Sequence, residues 1–203
     1  NVDRLLSAFG SNVTVICRER VSYDYVASVA RGCTVLLSHD MGIHLDARRL
    51  IARMPRFPRL TIAAAVLRAR LLGKGHAALG DVLTLLGGGP VAEVQRFGQG
   101  QTRLTCFRTD DESTDIALPP DNIDLPRVLA LGGDPYELAV YVAQVFLRTI
   151  DRFDEIATNR LHVAIAAGLL GKQVEFHTNN YYKNGAVYEY SMKTRFPNVK
   201  WMG

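Results

Sequence analysis

The stretch TNRLHVAIAAGLLGK, Thr158 to Lys172, puts Arg160 and His162 in the first turn of an otherwise apolar, small-residue helix. Gly171 is placed to be a left-handed C-cap, and Thr158 or Asn159 can serve as N-cap. A helix N-terminus already carries about half a positive charge, so basic residues there oppose the macrodipole by about 0.3–1 kcal/mol each. Guanidinium, imidazole and orphan backbone N–H donors together make an anion site. The plainer alternative has Arg160 reaching into solvent and His162 donating to a carbonyl. Leu161 reads as core, because it shares a helical face with Ile165 and Leu169.

Other candidates are weaker. Arg18-Glu19-Arg20, followed by Ser22, stands where a strand hands over to a helix. Arg18 could be presented to a ligand and held by Glu19, with Ser22 capping the helix; a solvated turn is the alternative. His39-Asp40 and His44 could suggest a metal, but no further ligand has convincing spacing, so they read as structural and no metal site is expected. Gly87–Gly89 matches neither a phosphate loop nor the dinucleotide fingerprint and reads as a turn. No Ser-His-Asp order, paired-cysteine zinc pattern or coiled-coil heptad occurs.

These residues need elements to position them. Residues 13–17 (VTVIC), 34–37 (TVLL), 103–108 (RLTCFR), 155–157 and 173–177 read as strands. Helices are expected from Ser22 to about Ala30, from the Asp134-Pro135-Tyr136-Glu137 start through Thr149, over the opening stretch, and across Gly185–Met192. This alternation predicts one α/β domain over 1–203: Rossmann-like, a mostly parallel sheet with helices on both faces. Ligands in such sheets bind beyond the carboxyl ends of the strands. Arg18, His39, Asp40, Arg160, His162 and the segment His177–Lys183 all follow strands, so a parallel sheet sets them on one rim.

Charge is divided unevenly. Residues 47–80 hold Arg48, Arg49, Arg53, Arg56, Arg59, Arg68, Arg70 and Lys74 with no acid, so they carry +8 while the rest of the chain nets −4. A basic helical insertion is expected over about 48–100, and an acidic, solvated loop over about 110–127. Phe57 is the only aromatic in the basic segment, which argues against nucleic-acid stacking. Its Arg-plus-aliphatic texture suits an anionic membrane surface or an acidic protein surface; pairing with the acidic loop is the bland alternative. Three scattered cysteines favour reduced thiols and a cytoplasmic protein, and no apolar run is long enough to span a bilayer.

TNRLHVAIAAGLLGKQVEF followed by YYKNGAVYEYS resembles the C-terminal signature of bacterial polysaccharide pyruvyl transferases. ICRERVSYDYV, LSHDMGIHL and FRTDDES resemble that family's other landmarks, in the same order. The resemblance implies transfer of the enolpyruvyl group of phosphoenolpyruvate to two hydroxyls of a polysaccharide or lipid-linked sugar, forming a pyruvate ketal and releasing phosphate. It implies one half of a GT-B-like pair of Rossmann domains, with no cofactor beyond the phosphoenolpyruvate donor. In residue terms it implies His162 in catalysis and Arg18, Arg160 and Lys183 in substrate binding. The family has a preceding Rossmann-like half with a glycine-rich loop, so the sequence reads as a fragment, a shortened member or a processed form. A nucleotide-sugar glycosyltransferase is the competing enzyme, and a non-catalytic assembly module of polysaccharide synthesis the competing class.

Overall fold

Short apolar and β-branched runs form the strands, and their neighbours are all parallel. The computed structural model describes residues 2–72, 94, 97–98, 100–111, 117–131 and 136–203. α1 (Val2–Ser7) precedes β1 (Thr14–Cys17), α2 (Arg20–Val29) and β2 (Thr34–Leu37). A 3-10 turn, Met41–His44, leads to α3 (Ala47–Arg53) and α4 (Arg59–Leu71). Then come β3 (Arg103–Cys106), α5 (Leu125–Val128), α6 (Tyr136–Asp151), β4 (Glu155–Thr158), α7 (Leu161–Leu169) and β5 (Gln173–Phe176). α8 (Lys183–Val187) runs into a π-helical turn, Tyr188–Met192, before β6 (Val199–Trp201).

The α/β expectation holds, with one refinement. The strands divide between two sheets, β1–β2 and β3–β4–β5–β6, and the segment carrying α3 and α4 lies between them in the chain. Registers such as Cys17↔Leu37, Thr158↔Phe176 and Phe176↔Trp201 align the carboxyl ends of neighbouring strands. β6 and α1 had no clear sequence signal.

The core is built around α7. Its residues Leu161, Val163, Ala164, Ile165, Ala166, Ala167 and Gly168 are all buried, and small side chains let it lie close to the sheet. A Cβ on Gly168 would stand 3.0 Å from Phe196 Cγ, so only glycine fits there without a shift. The helix ends as expected: Gly171 has φ +76, its N–H donates to Gly168 O, and Lys172 N–H donates to Ala167 O, a Schellman closure. Arg48 adds a guanidinium to this end, donating from Nη2 to Leu170 O at 2.7 Å. Burial pushes the Cys106 thiol up to about 12, so it is an inert core group.

Several local expectations change. Arg160 itself occupies the α7 N-cap, and Thr158 Oγ1 accepts from Arg160 N at 3.0 Å instead of capping the helix. Glu19 does not hold Arg18; it caps α2 by accepting from Ser22 N at 2.9 Å. The acidic segment is not simply a solvated loop, since Asp124 is buried and ion-paired. Of the basic helical insertion, α3 and α4 are observed, while the Gly87–Gly89 turn lies outside the described residues. The Asp134-Pro135 helix start lies outside them too.

Candidate functional site

The carboxyl ends of both sheets face one cleft. Its volume is about 360 Å³, and its lining includes Arg18, Arg108, Arg160, His162, Asn179 and Lys183. Arg18 follows β1, Arg108 follows β3, Arg160 and His162 follow β4, and Asn179 and Lys183 follow β5. The four residues that the resemblance implies, Arg18, Arg160, His162 and Lys183, therefore line one cleft although they span positions 18 to 183, whereas His39 is not among its lining.

Carboxylates hold most of the arginines. Asp40, buried and capping the 3-10 turn, accepts from Gly42 N at 2.9 Å and from Arg18 Nη1 at 2.6 Å. The same Asp40 oxygen lies 3.6 Å from His162 Nε2. Burial opposes ionisation of Asp40, but the Gly42 N–H, Arg18 and His162 together hold its carboxyl below the ordinary value of 3.8. Asp124 accepts from Arg160 Nε at 2.9 Å and also from Arg160 Nη2. Arg160 Nη2 reaches Asp110 at 3.0 Å, and Arg108 forks onto Asp110 at 2.8 and 3.1 Å. Thr109 N donates to Asp124 at 3.0 Å, which closes the network onto the loop after β3.

Arg160 thus neither reaches into solvent nor waits alone. Its side chain is 15% exposed and engaged by two carboxylates. His162 is different: it is 64% exposed and makes no hydrogen bond among the described residues. Lys183 places Nζ 4.8 Å from the Tyr181 ring centroid and has no carboxylate partner among the described residues.

Amides brace the floor. Asn159 Oδ1 accepts from Arg108 N at 2.8 Å, and Asn184 Nδ2 donates to Asn159 O at 2.7 Å. These bonds tie the exits of β3 and β4 to α8. Asn179, also buried, lines the cleft with an Oδ1 that has no partner among the described residues. An orphaned buried acceptor is expensive unless a ligand or water satisfies it. His39 is structural as expected, with Nδ1 3.0 Å from Ser191 Oγ and its ring 5.0 Å from Tyr190.

Arg108, Asp110 and Asp124 escaped the sequence reading as site residues; Asp40 and the segment holding Asn179 were expected on the rim but given no partner or role. Arg108 and Asp110 could have been found from FRTDDES, which was read only as a landmark. Asp124 carried no such signal. Among the described residues, no group of three His, Cys, Asp or Glu side chains could hold a metal ion. No described helix is long and apolar enough to cross a membrane.

No family model matches the chain, and no curated protein matches it. The chain is similar to the crystal structure of an uncharacterized protein from Klebsiella pneumoniae subsp. pneumoniae NTUH-K2044, at 26% identity and a TM-score of 0.57. The match covers 93% of this chain and 54% of that one, so the chain spans about half the length of the protein it matches.

Proposed function

We propose that the chain is the donor-binding part of a pyruvyl transferase, moving the enolpyruvyl group of phosphoenolpyruvate onto two hydroxyls of a polysaccharide or lipid-linked sugar. The convergence of Arg18, Arg160, His162 and Lys183 on one cleft carries the reading. Phosphoenolpyruvate bears a carboxylate and a phosphate, and such a ligand needs several cationic donors in a fixed array.

The cations share the work in this reading. Lys183, with no carboxylate partner among the described residues, is a point charge for the phosphate. Arg18 uses Nη1 on Asp40 and keeps its remaining donors for the ligand carboxylate. Arg160, gripped by Asp110 and Asp124, presents a rigid edge. In the transfer, C2 of the donor gains two bonds to sugar oxygens, the bond to the phosphate oxygen breaks, and the methylene becomes a methyl. Of the two hydroxyl protons lost, one goes to that carbon and one leaves with phosphate. His162 carries one of them, and Asp40 at 3.6 Å supplies the counter-charge while it does so. Asn179 Oδ1 accepts from an acceptor hydroxyl. The work takes place on the cytoplasmic side, with the basic segment resting on an anionic leaflet.

One observation favours the nucleotide-sugar alternative. Tyr181 lines the cleft, and its ring offers an aromatic surface that a base can meet. Calorimetric titration with phosphoenolpyruvate beside uridine diphosphate separates the two. Saturable phosphoenolpyruvate binding that Lys183→Gln weakens supports pyruvyl transfer; preference for the nucleotide overturns it.

A further inference from the structure

We infer that the molecule carries a second anion site, separate from the strand-end cleft, that takes a phosphate group joined to an apolar or aromatic remainder. A second cleft of about 360 Å³ lies between α6 and the connection from α3 to α4. Arg56, Arg59, Arg148 and Arg152 line it together with Phe57 and Tyr141, and no acidic residue is among the lining.

The site is built rather than incidental. Tyr141, Gln144, Val145, Arg148 and Thr149 recur at three- and four-residue steps, which puts them on one face of α6, and Arg152 stands just past its end. Gln144 is buried, and its Nε2 donates to Met54 O at 2.9 Å and Pro55 O at 2.6 Å. That clamp holds the connection that presents Arg56 and Phe57. Arg148 Nη2 donates to Ile51 O at 3.2 Å, at the end of α3.

Three observations leave the cleft short of negative charge. Arg56, Arg59 and Arg148 make no ion pair with a carboxylate among the described residues. Arg148 Nε is buried without a hydrogen-bond partner. Arg59 opens the 13-residue α4, whose first turn has no acid, and the preceding Pro58 has no side-chain acceptor to cap it. Guanidiniums without carboxylate partners and an unmatched buried donor call for an anion here, and α4 begins at the cleft's edge.

The walls say what accompanies it. Phe57, Tyr141 and Val145 flank the arginines, so the group attached to the phosphate meets rings and methyls. A concave site of this volume admits a small head group rather than the flat face of an acidic protein. The phosphate can belong to a soluble phosphoester or to a lipid head group, and the two sources are separable.

The test is calorimetry with inorganic pyrophosphate at low ionic strength. Saturable binding is expected, weakened at least about tenfold in Arg56→Gln/Arg59→Gln. Both side chains are exposed, so this variant keeps its fold, which a thermal melt checks. Arg49→Gln/Arg53→Gln removes the same charge from neighbouring α3 outside the cleft and keeps the affinity. No saturable binding, or equal loss in the two double variants, overturns the site. Co-sedimentation with phosphatidylglycerol vesicles then names the source. Vesicle binding abolished by the cleft variant assigns a lipid head group, whereas pyrophosphate binding without vesicle binding assigns a soluble phosphoester. Phosphoenolpyruvate binding at the strand ends is read independently with Lys183→Gln, so either result stands whatever the other gives.

Discussion

Two clefts of similar volume gather arginines in this molecule, and they treat them in opposite ways. At the strand ends Arg18, Arg108 and Arg160 are each held by Asp40, Asp110 or Asp124. Between α6 and the α3–α4 connection, Arg56, Arg59 and Arg148 have no carboxylate partner among the described residues. A paired guanidinium is a fixed hydrogen-bonding edge with most of its charge compensated. An unpaired one is an ion waiting for a counter-ion. The strand-end cleft is therefore organised for geometry, with Lys183 free of a carboxylate among the described residues and an exposed His162 beside Asp40, and the other is organised for charge.

Removing a carboxylate from the strand-end network is the sharpest way to break this contrast. Asp124→Ala leaves Arg160, with 15% of its side chain exposed, without its buried counter-charge. Stripping one partner from such a pair costs about 3–5 kcal/mol, measured by urea unfolding. A loss below about 1 kcal/mol would make Arg160 as available as the arginines of the second cleft.

Asp40 gives a smaller, pH-dependent effect. Its folded carboxyl is held below the ordinary 3.8, so the unfolded state binds the proton more readily and stability rises with pH across that window. The contribution is complete above the ordinary value and disappears as pH falls through the depressed one. Wild type should exceed Asp40→Asn by about 1–3 kcal/mol at pH 6, and the gap should close on acidification toward pH ~2. A gap that does not change with pH contradicts the pairing.

Arg160→Lys keeps the charge and loses the fork onto Asp110 and Asp124. It should cost about 1–2 kcal/mol and raise the donor KM, because an ammonium cannot reproduce that edge. The smallest effect belongs to the second cleft. Arg56→Gln/Arg59→Gln should change unfolding free energy by no more than about 0.5 kcal/mol, since the variant breaks no ion pair.

The fold was legible where local rules suffice. Parallel strands followed from apolar runs alternating with helices, and Gly171 was readable as a C-cap because the requirement for positive φ is local. Arg18, Arg160 and His162 were legible for a related reason: they stand at or within a few residues of a strand's end, and parallel pairing brings strand ends together. Their partners were not. Asp124 lies 36 residues from Arg160, and Asp40 lies 22 from Arg18, so only the folded chain shows which acid meets which base. The acidic segment after β3 looked like a solvated loop because its composition matches one, and burial of Asp124 is a tertiary outcome. β6 was missed because three residues, Val199–Trp201, are too few to show a period.

The central claim is that the exposed imidazole of His162 moves a proton during pyruvyl transfer at the strand-end cleft. In the whole transferase of which this chain is proposed to be the donor-binding part, turnover of labelled phosphoenolpyruvate into a sugar ketal, with phosphate release counted alongside, tests it with His162→Ala and His162→Gln, each checked for folding by thermal melt. Both should lower kcat by about 10²–10⁴ while donor affinity stays within several-fold, because glutamine can hydrogen-bond but cannot shuttle a proton. Near-wild-type turnover in His162→Gln would contradict the account and leave His162 a positioning residue.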